Sequence, residues 1–212
     1  MRKLLLIAII AIGYTVNAQD IHFGAKAGLN VSILKGDDIP EDAKSRISFH
    51  LGGVVEFKLS EKFSLQPELI YSVQGSKWLN LEGLNYVDEN GINVTASDVD
   101  FTLKLDYINI PLIAKYYVTE GLSLEAGPQI GINVVSEGEV KTQGVSTTVD
   151  LKELGAEIKS TDFSLNLGAG YKLKNGLNFG VRYNLGLTSI SDSNEDEDVK
   201  NEVFQFSVGY FF

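Results

Sequence analysis

The last ten residues, Val203 to Phe212, alternate: Phe204, Phe206, Val208, Tyr210 and Phe212 share one face, and the other is mostly small or polar, with Gln205, Ser207 and Gly209. A period of two is the period of a β-strand. A strand this aromatic on one side needs an apolar medium there, and its polar side needs a hydrogen-bonding interior. Both needs are met in the closing strand of a transmembrane barrel. An open sheet would not serve, because hydrocarbon leaves no partner for an unpaired backbone group.

The N-terminus points to export. Met1-Arg2-Lys3 is a short cationic region, Leu4 to Ile12 is an apolar run, and Val16-Asn17-Ala18 has the small-residue pattern of a cleavage site. Residues 1–18 therefore read as a cleaved signal peptide and 19–212 as one barrel domain. The apolar run is shorter than the roughly 20 residues a spanning helix needs. Cysteine is absent, which removes disulfides, thiolate metal sites and lipid attachment at the mature end. Losing Arg2 and Lys3 and no acid turns 18 basic against 28 acidic residues into 16 against 28, so nucleic acid is excluded as a partner.

Alternation places eight strands near 21–31, 47–59, 63–78, 101–118, 122–136, 162–173, 177–189 and 202–212. The connections after the second, fourth and sixth are tight: Ser60-Glu61-Lys62, Thr119-Glu120-Gly121 and Lys174-Asn175-Gly176, the last with the Asn-Gly pair of a two-residue hairpin. The other connections are long and charged. The pattern specifies an all-β, eight-stranded antiparallel up-and-down barrel of the bacterial outer membrane, with short periplasmic turns, longer external loops and both chain ends periplasmic.

The outward face reads Ile21, Phe23, Ala25, Ala27, Leu29 in the first strand, Phe49, Leu51, Gly53, Val55, Phe57 in the second and Phe163, Leu165, Leu167, Ala169, Tyr171 in the sixth. Aromatics at the strand ends make two girdles, with Phe49, Trp78, Phe101 and Phe163 on the long-loop side. Pro67, Pro111 and Pro128 fall inside strands, where a closed barrel offers no free edge, so bulges are expected at them. Phe101, Leu103 and Leu105 join Ile108, Ile110 and Leu112 outward only if one residue near Asp106-Tyr107 is extra, which predicts a further bulge there.

The segments Leu65-Gln66-Pro67-Glu68-Leu69, Tyr107 to Tyr116, Leu124 to Pro128 and Gly180 to Leu187 resemble the recurrent motifs of the PorT-like outer-membrane β-barrel family, often labelled "porin family". The resemblance covers essentially all of 20–212. It implies that the outer-membrane assembly machinery reads the final strand, with Phe212 and Tyr210 as its signal. It implies no particular activity.

Eight strands enclose a space that side chains can fill. Lys26, Glu56, Glu68, Lys115, Glu125 and Arg182 all read as inward, three of each sign, and must pair in a confined interior. They form a structural salt-bridge plug. His22 and His50 open strands of opposite direction and cannot share a metal, with only His50 near the rim. No converging catalytic set is found, and no catalytic, metal or cofactor residue is assigned. The loops are acidic, most of all Asp192 to Asp198, without the spacing of a calcium loop. Leu151, Leu154 and Ile158 read as loop packing. The reading is a non-catalytic envelope, adhesion or partner-binding protein in contact with outer-membrane lipid and lipopolysaccharide and with an unidentified protein partner at its loops. Its rivals are a narrow ion or small-solute channel, an outer-membrane enzyme and a soluble lipocalin-like barrel, the last of which would face its charges outward.

Overall fold

The computed structural model describes residues 21–36, 39, 43–81, 84–87, 93–96, 99–142, 145–151, 158–191 and 198–212. The expected signal segment, residues 1–18, and the acidic run 192–197 lie outside them, as does Leu154. The strands are β1 (Ile21–Lys35), β2 (Lys44–Lys58), β3 (Phe63–Leu81), β4 (Leu84–Val87), β5 (Asn93–Ala96), β6 (Val99–Tyr117), β7 (Leu122–Thr142), β8 (Val145–Asp150), β9 (Thr161–Lys172), β10 (Leu177–Gly186) and β11 (Lys200–Phe211).

Eight of these make a ring in the order β1, β2, β3, β6, β7, β9, β10, β11, with β11 closing on β1 and every neighbour antiparallel. This is an up-and-down barrel. β4 and β5 form a separate hairpin between β3 and β6, and β8 folds back on the far end of β7. The expected eight strands are all present, several of them longer at the long-loop end, where β3, β6 and β7 continue to Leu81, Val99 and Thr142.

Closure is also visible at the chain ends. The Phe212 N–H donates to the Phe23 carbonyl at 2.8 Å, so the C-terminal residue is stitched to the first strand. The Lys174-Asn175-Gly176 connection differs from the expected two-residue hairpin. Leu173 N–H donates to Leu177 O at 2.7 Å and Gly176 N–H to Leu173 O at 3.1 Å, with Gly176 at φ 90°. It is a three-residue loop in which only the glycine takes the left-handed position readily.

The outward face is as expected: Ile21, Phe23, Leu29, Phe49, Leu51, Phe163, Tyr171, Phe204, Phe206, Val208 and Tyr210 are all exposed. Such a belt has no favourable contact with water. The prolines, however, carry no bulges. Pairing lapses between Val54↔Glu68 and Phe57↔Leu65, between Pro67↔Leu112 and Ile70↔Asn109, and between Pro111↔Gln129 and Ala114↔Ala126, then resumes in the same register. Around Pro128 the β7–β9 register is unbroken. A proline removes one donor from a ladder and need not add a residue.

The bulge expected in β6 also lies elsewhere. The β6–β7 register steps from Asp106↔Val135 to Tyr107↔Asn133, so the extra residue is Val134 of β7, and β6 alternates without a slip. Leu103 and Leu105, expected outward, therefore point inward and are 9% and 0% exposed. Trp78 leaves the expected girdle because the even positions of β3 face inward, and Phe101, also expected outward, packs against it with ring centroids 5.6 Å apart. These side chains meet Leu34, Leu151, Ile190 and Val199 in an apolar cluster at the long-loop end, with Ile158 packed against it. The top of the barrel interior has an apolar core of its own, which rewards inward hydrophobic residues there.

Candidate functional site

Inward parity brings five of the six predicted charges into one network. Lys26 comes from β1, Glu68 from β3, Glu125 from β7 and Arg182 from β10, so the four belong to alternate strands of the ring. Long side chains reaching inward from alternate strands need small neighbours between them. Lys26 is flanked in register by Gly52 and Gly209, and Arg182 by Gly168. At Gly170 a Cβ would come within 2.6 Å of Glu125 Oε1.

Arg182 Nη1 donates to Glu68 Oε2 at 3.1 Å, and Nη2 donates to Glu68 Oε1 at 3.0 Å and Glu125 Oε2 at 2.9 Å. Lys26 Nζ reaches Glu68 Oε2 at 2.6 Å, and Lys115 Nζ lies 3.3 Å from Glu125 Oε1. Gln66 links the two sides, donating to Glu68 Oε1 at 2.7 Å and accepting from Lys115 at 3.2 Å. All five charged residues are buried or nearly so. In such a setting a bidentate guanidinium–carboxylate pair is strong, and either partner left alone is costly.

Glu56 stands apart from this network, nearer the short turns. Its carboxylate accepts from Lys172 at 2.9 Å and from the Tyr117 hydroxyl. Lys172 also sits 4.2 Å from the centre of the Phe211 ring. Sequence reasoning missed Lys172, although its even number in a strand whose even positions face inward is the signal for it. Outside this pair a recess of about 480 Å³ opens at the short-turn end, lined in part by His22, Lys58, Glu61 and Glu120.

On the other side of the charges the lumen is filled by neutral polar groups. His50 is not near the rim as expected: β2 begins at Lys44 and puts His50 in mid-wall, opposite Gly28, where it is buried. Its Nδ1 lies 2.8 Å from Asn30 Oδ1 and its Nε2 2.9 Å from Ser207 Oγ. Asn30 Nδ2 donates to the Val73 carbonyl at 2.8 Å, and its Oδ1 also accepts from Gln205 at 3.0 Å. Oδ1 is therefore the acceptor, His50 carries its proton on Nδ1, and the Ser207 hydroxyl donates to Nε2. Sequence reasoning found no such convergence of Ser, His and Asn. The adjoining cavity is about 20 Å³, the room of one water molecule or one monatomic ion, and an acyl substrate has no seat there. The trio serves as hydrogen-bonded filling.

Tyr210 and Phe212, named as the assembly signal, lie outward at the short-turn end with ring centroids 6.0 Å apart. Among the described residues no group of three or more His, Asp or Glu is placed to hold a metal ion. The acidic run at the long-loop end is described only at Asp198, which pairs with Lys200 at 2.6 Å.

A family model described as outer membrane protein beta-barrel domain matches residues 17–192. Among solved structures, Neisserial surface protein A is similar at 14% identity and a TM-score of 0.52, over 90% of this chain and 97% of that one. Ail, the attachment invasion locus protein of Yersinia pestis, is similar at 15% identity and a TM-score of 0.50, over 90% and 98%. These likenesses concern the fold. No curated protein matches the sequence.

Proposed function

Because the chain belongs to the outer membrane protein beta-barrel domain family, we propose that it is a non-catalytic envelope protein with a closed lumen, and that its external loops carry its contacts. The observation that carries this reading is the position of Arg182. It reaches from β10 to Glu68 on β3, the fourth neighbour in a ring of eight, and so stands across the full interior. The Glu56–Lys172 pair on one side and the apolar cluster on the other support the same reading. A solute path would have to break buried ion pairs, at several kcal/mol each.

In this reading the short-turn end, which holds both Ile21 and Phe212, faces the periplasm, and residues 1–18 are removed on export. The barrel wall meets outer-membrane lipid and lipopolysaccharide, the acidic segments of the loops meet a protein partner outside the cell, and Tyr210 and Phe212 are read by the assembly machinery. The quoted motifs support assigning the chain to the PorT-like branch of the family. Planar-bilayer recording tests the closed lumen: the protein inserts without a large, stable conductance. Sustained channels passing sugar-sized solutes contradict it.

A further inference from the structure

Among the described residues the charges of the lumen do not balance. The network of Lys26, Lys115, Arg182, Glu68 and Glu125 has three cations and two carboxylates. Glu56, which also lies in the field of Lys115, pairs with Lys172, so these two add no net charge and the excess of one cation remains. Among the described residues the other inward charges, Arg46 and Asp162, are of opposite sign, and each lies six residues along its strand from the register partner of Lys26 or Arg182, Gly52 or Gly168. That is roughly 20 Å at the rise of a strand, too far to replace a contact. A net positive charge buried in a lumen is unfavourable unless something neutralises it.

The structure also holds a space beside the excess. The cavity of about 20 Å³ is walled by Lys26 and Arg182 together with Asn178, Ser207, Gln66 and Glu125. Lys26 makes one ion pair, to Glu68, which it shares with Arg182. Asn178 Nδ2 is buried with no hydrogen-bond partner among the described residues, an orphan donor of the kind that calls for a ligand. Glu125 is neutralised at the wall, with Oε2 on Arg182 at 2.9 Å and Oε1 on Lys115 at 3.3 Å. Ser207 spends its proton on His50. The donors left for a guest are those of Lys26, Arg182 and Asn178.

We propose that this cavity binds one small monovalent anion, chloride, held by Lys26, Arg182 and Asn178, which brings the buried network to neutrality. The inference goes beyond the closed-lumen reading and does not require it, since an anion can lock a lumen or occupy one that conducts.

The test uses the whole mature protein in detergent micelles at constant ionic strength, with chloride exchanged for gluconate. A ligand bound only by the folded state raises the urea midpoint, and above its dissociation constant the rise follows the logarithm of its concentration. Chloride behaves so and gluconate leaves the midpoint flat. Lys26→Met removes the excess charge and with it the chloride dependence. Crystals of the unaltered protein grown in bromide give an anomalous peak between Lys26, Arg182 and Asn178, which keeps the test open if the variant does not fold. A midpoint indifferent to chloride, or a bromide peak absent or elsewhere in the lumen, overturns the proposal; a neutral water then fills the cavity.

Discussion

Arg182 and Glu68 are 114 residues apart in sequence and meet across the barrel interior as a two-pronged ion pair, with N–O distances of 3.0 and 3.1 Å. Their strands never pair with each other. The contact exists only because the ring has closed, so it reports closure as much as it stabilises it.

Arg182→Met removes both prongs and the bond to Glu125, and leaves Glu68 and Glu125 with one lysine each, Lys26 and Lys115, and without the guanidinium donors that faced them. Unfolding in urea from micelles is expected to show a loss of about 3–5 kcal/mol, the cost of stranding one side of a buried pair. Unchanged stability in the single variant removes the ion-pair account of the lumen.

The wall was more legible in the sequence than its filling. Alternation gave the eight strands and their outward faces because lipid-facing and lumen-facing requirements differ at every second residue. The same rule read apolar as outward, and it failed at Leu103, Leu105 and Trp78, which are apolar and inward because a loop-covered core lies over the long-loop end. The charges were legible by parity, but ring order decided which of them meet: alternate strands brought Lys26, Glu68, Glu125 and Arg182 together and left Glu56 to Lys172. The His50–Ser207 contact joins residues 157 apart, and no local pattern announces it.

The β7 bulge supplies a second prediction. Asn133 Nδ2 donates to Val135 O at 3.1 Å and Asp106 O at 3.4 Å, and its Oδ1 accepts from Ser136 at 2.6 Å, covering the carbonyls that the extra Val134 leaves unpaired. Asn133→Leu is expected to cost about 1–3 kcal/mol in the same assay, the price of unsatisfied buried acceptors. Val134→Thr, at an exposed position on the outer face, is expected to cost well under 1 kcal/mol. Equal effects of the two changes would mean that Asn133 does not hold the bulge.

Deleting Phe212 separates assembly from stability. The residue is 78% exposed and adds one backbone bond, to Phe23. Refolded protein is expected to lose no more than about 3 kcal/mol, the upper range for one aromatic side chain. The amount reaching the outer membrane falls much further, with unassembled chain left in the periplasm. Normal outer-membrane levels would show that the terminal aromatic is not the assembly signal.

The most direct measurement uses the absence of native cysteine. Single cysteines at positions 204, 205, 206, 207 and 208 of β11, each spin-labelled in protein reconstituted into lipid vesicles, report the medium each side chain meets. Labels at 204, 206 and 208 are expected to be relaxed by oxygen dissolved in the hydrocarbon and sheltered from a water-soluble nickel chelate, with 205 and 207 sheltered from the oxygen. The opposite alternation, with 204, 206 and 208 shielded inside and 205 and 207 open to water, would contradict the membrane barrel and leave a soluble barrel with an apolar pocket.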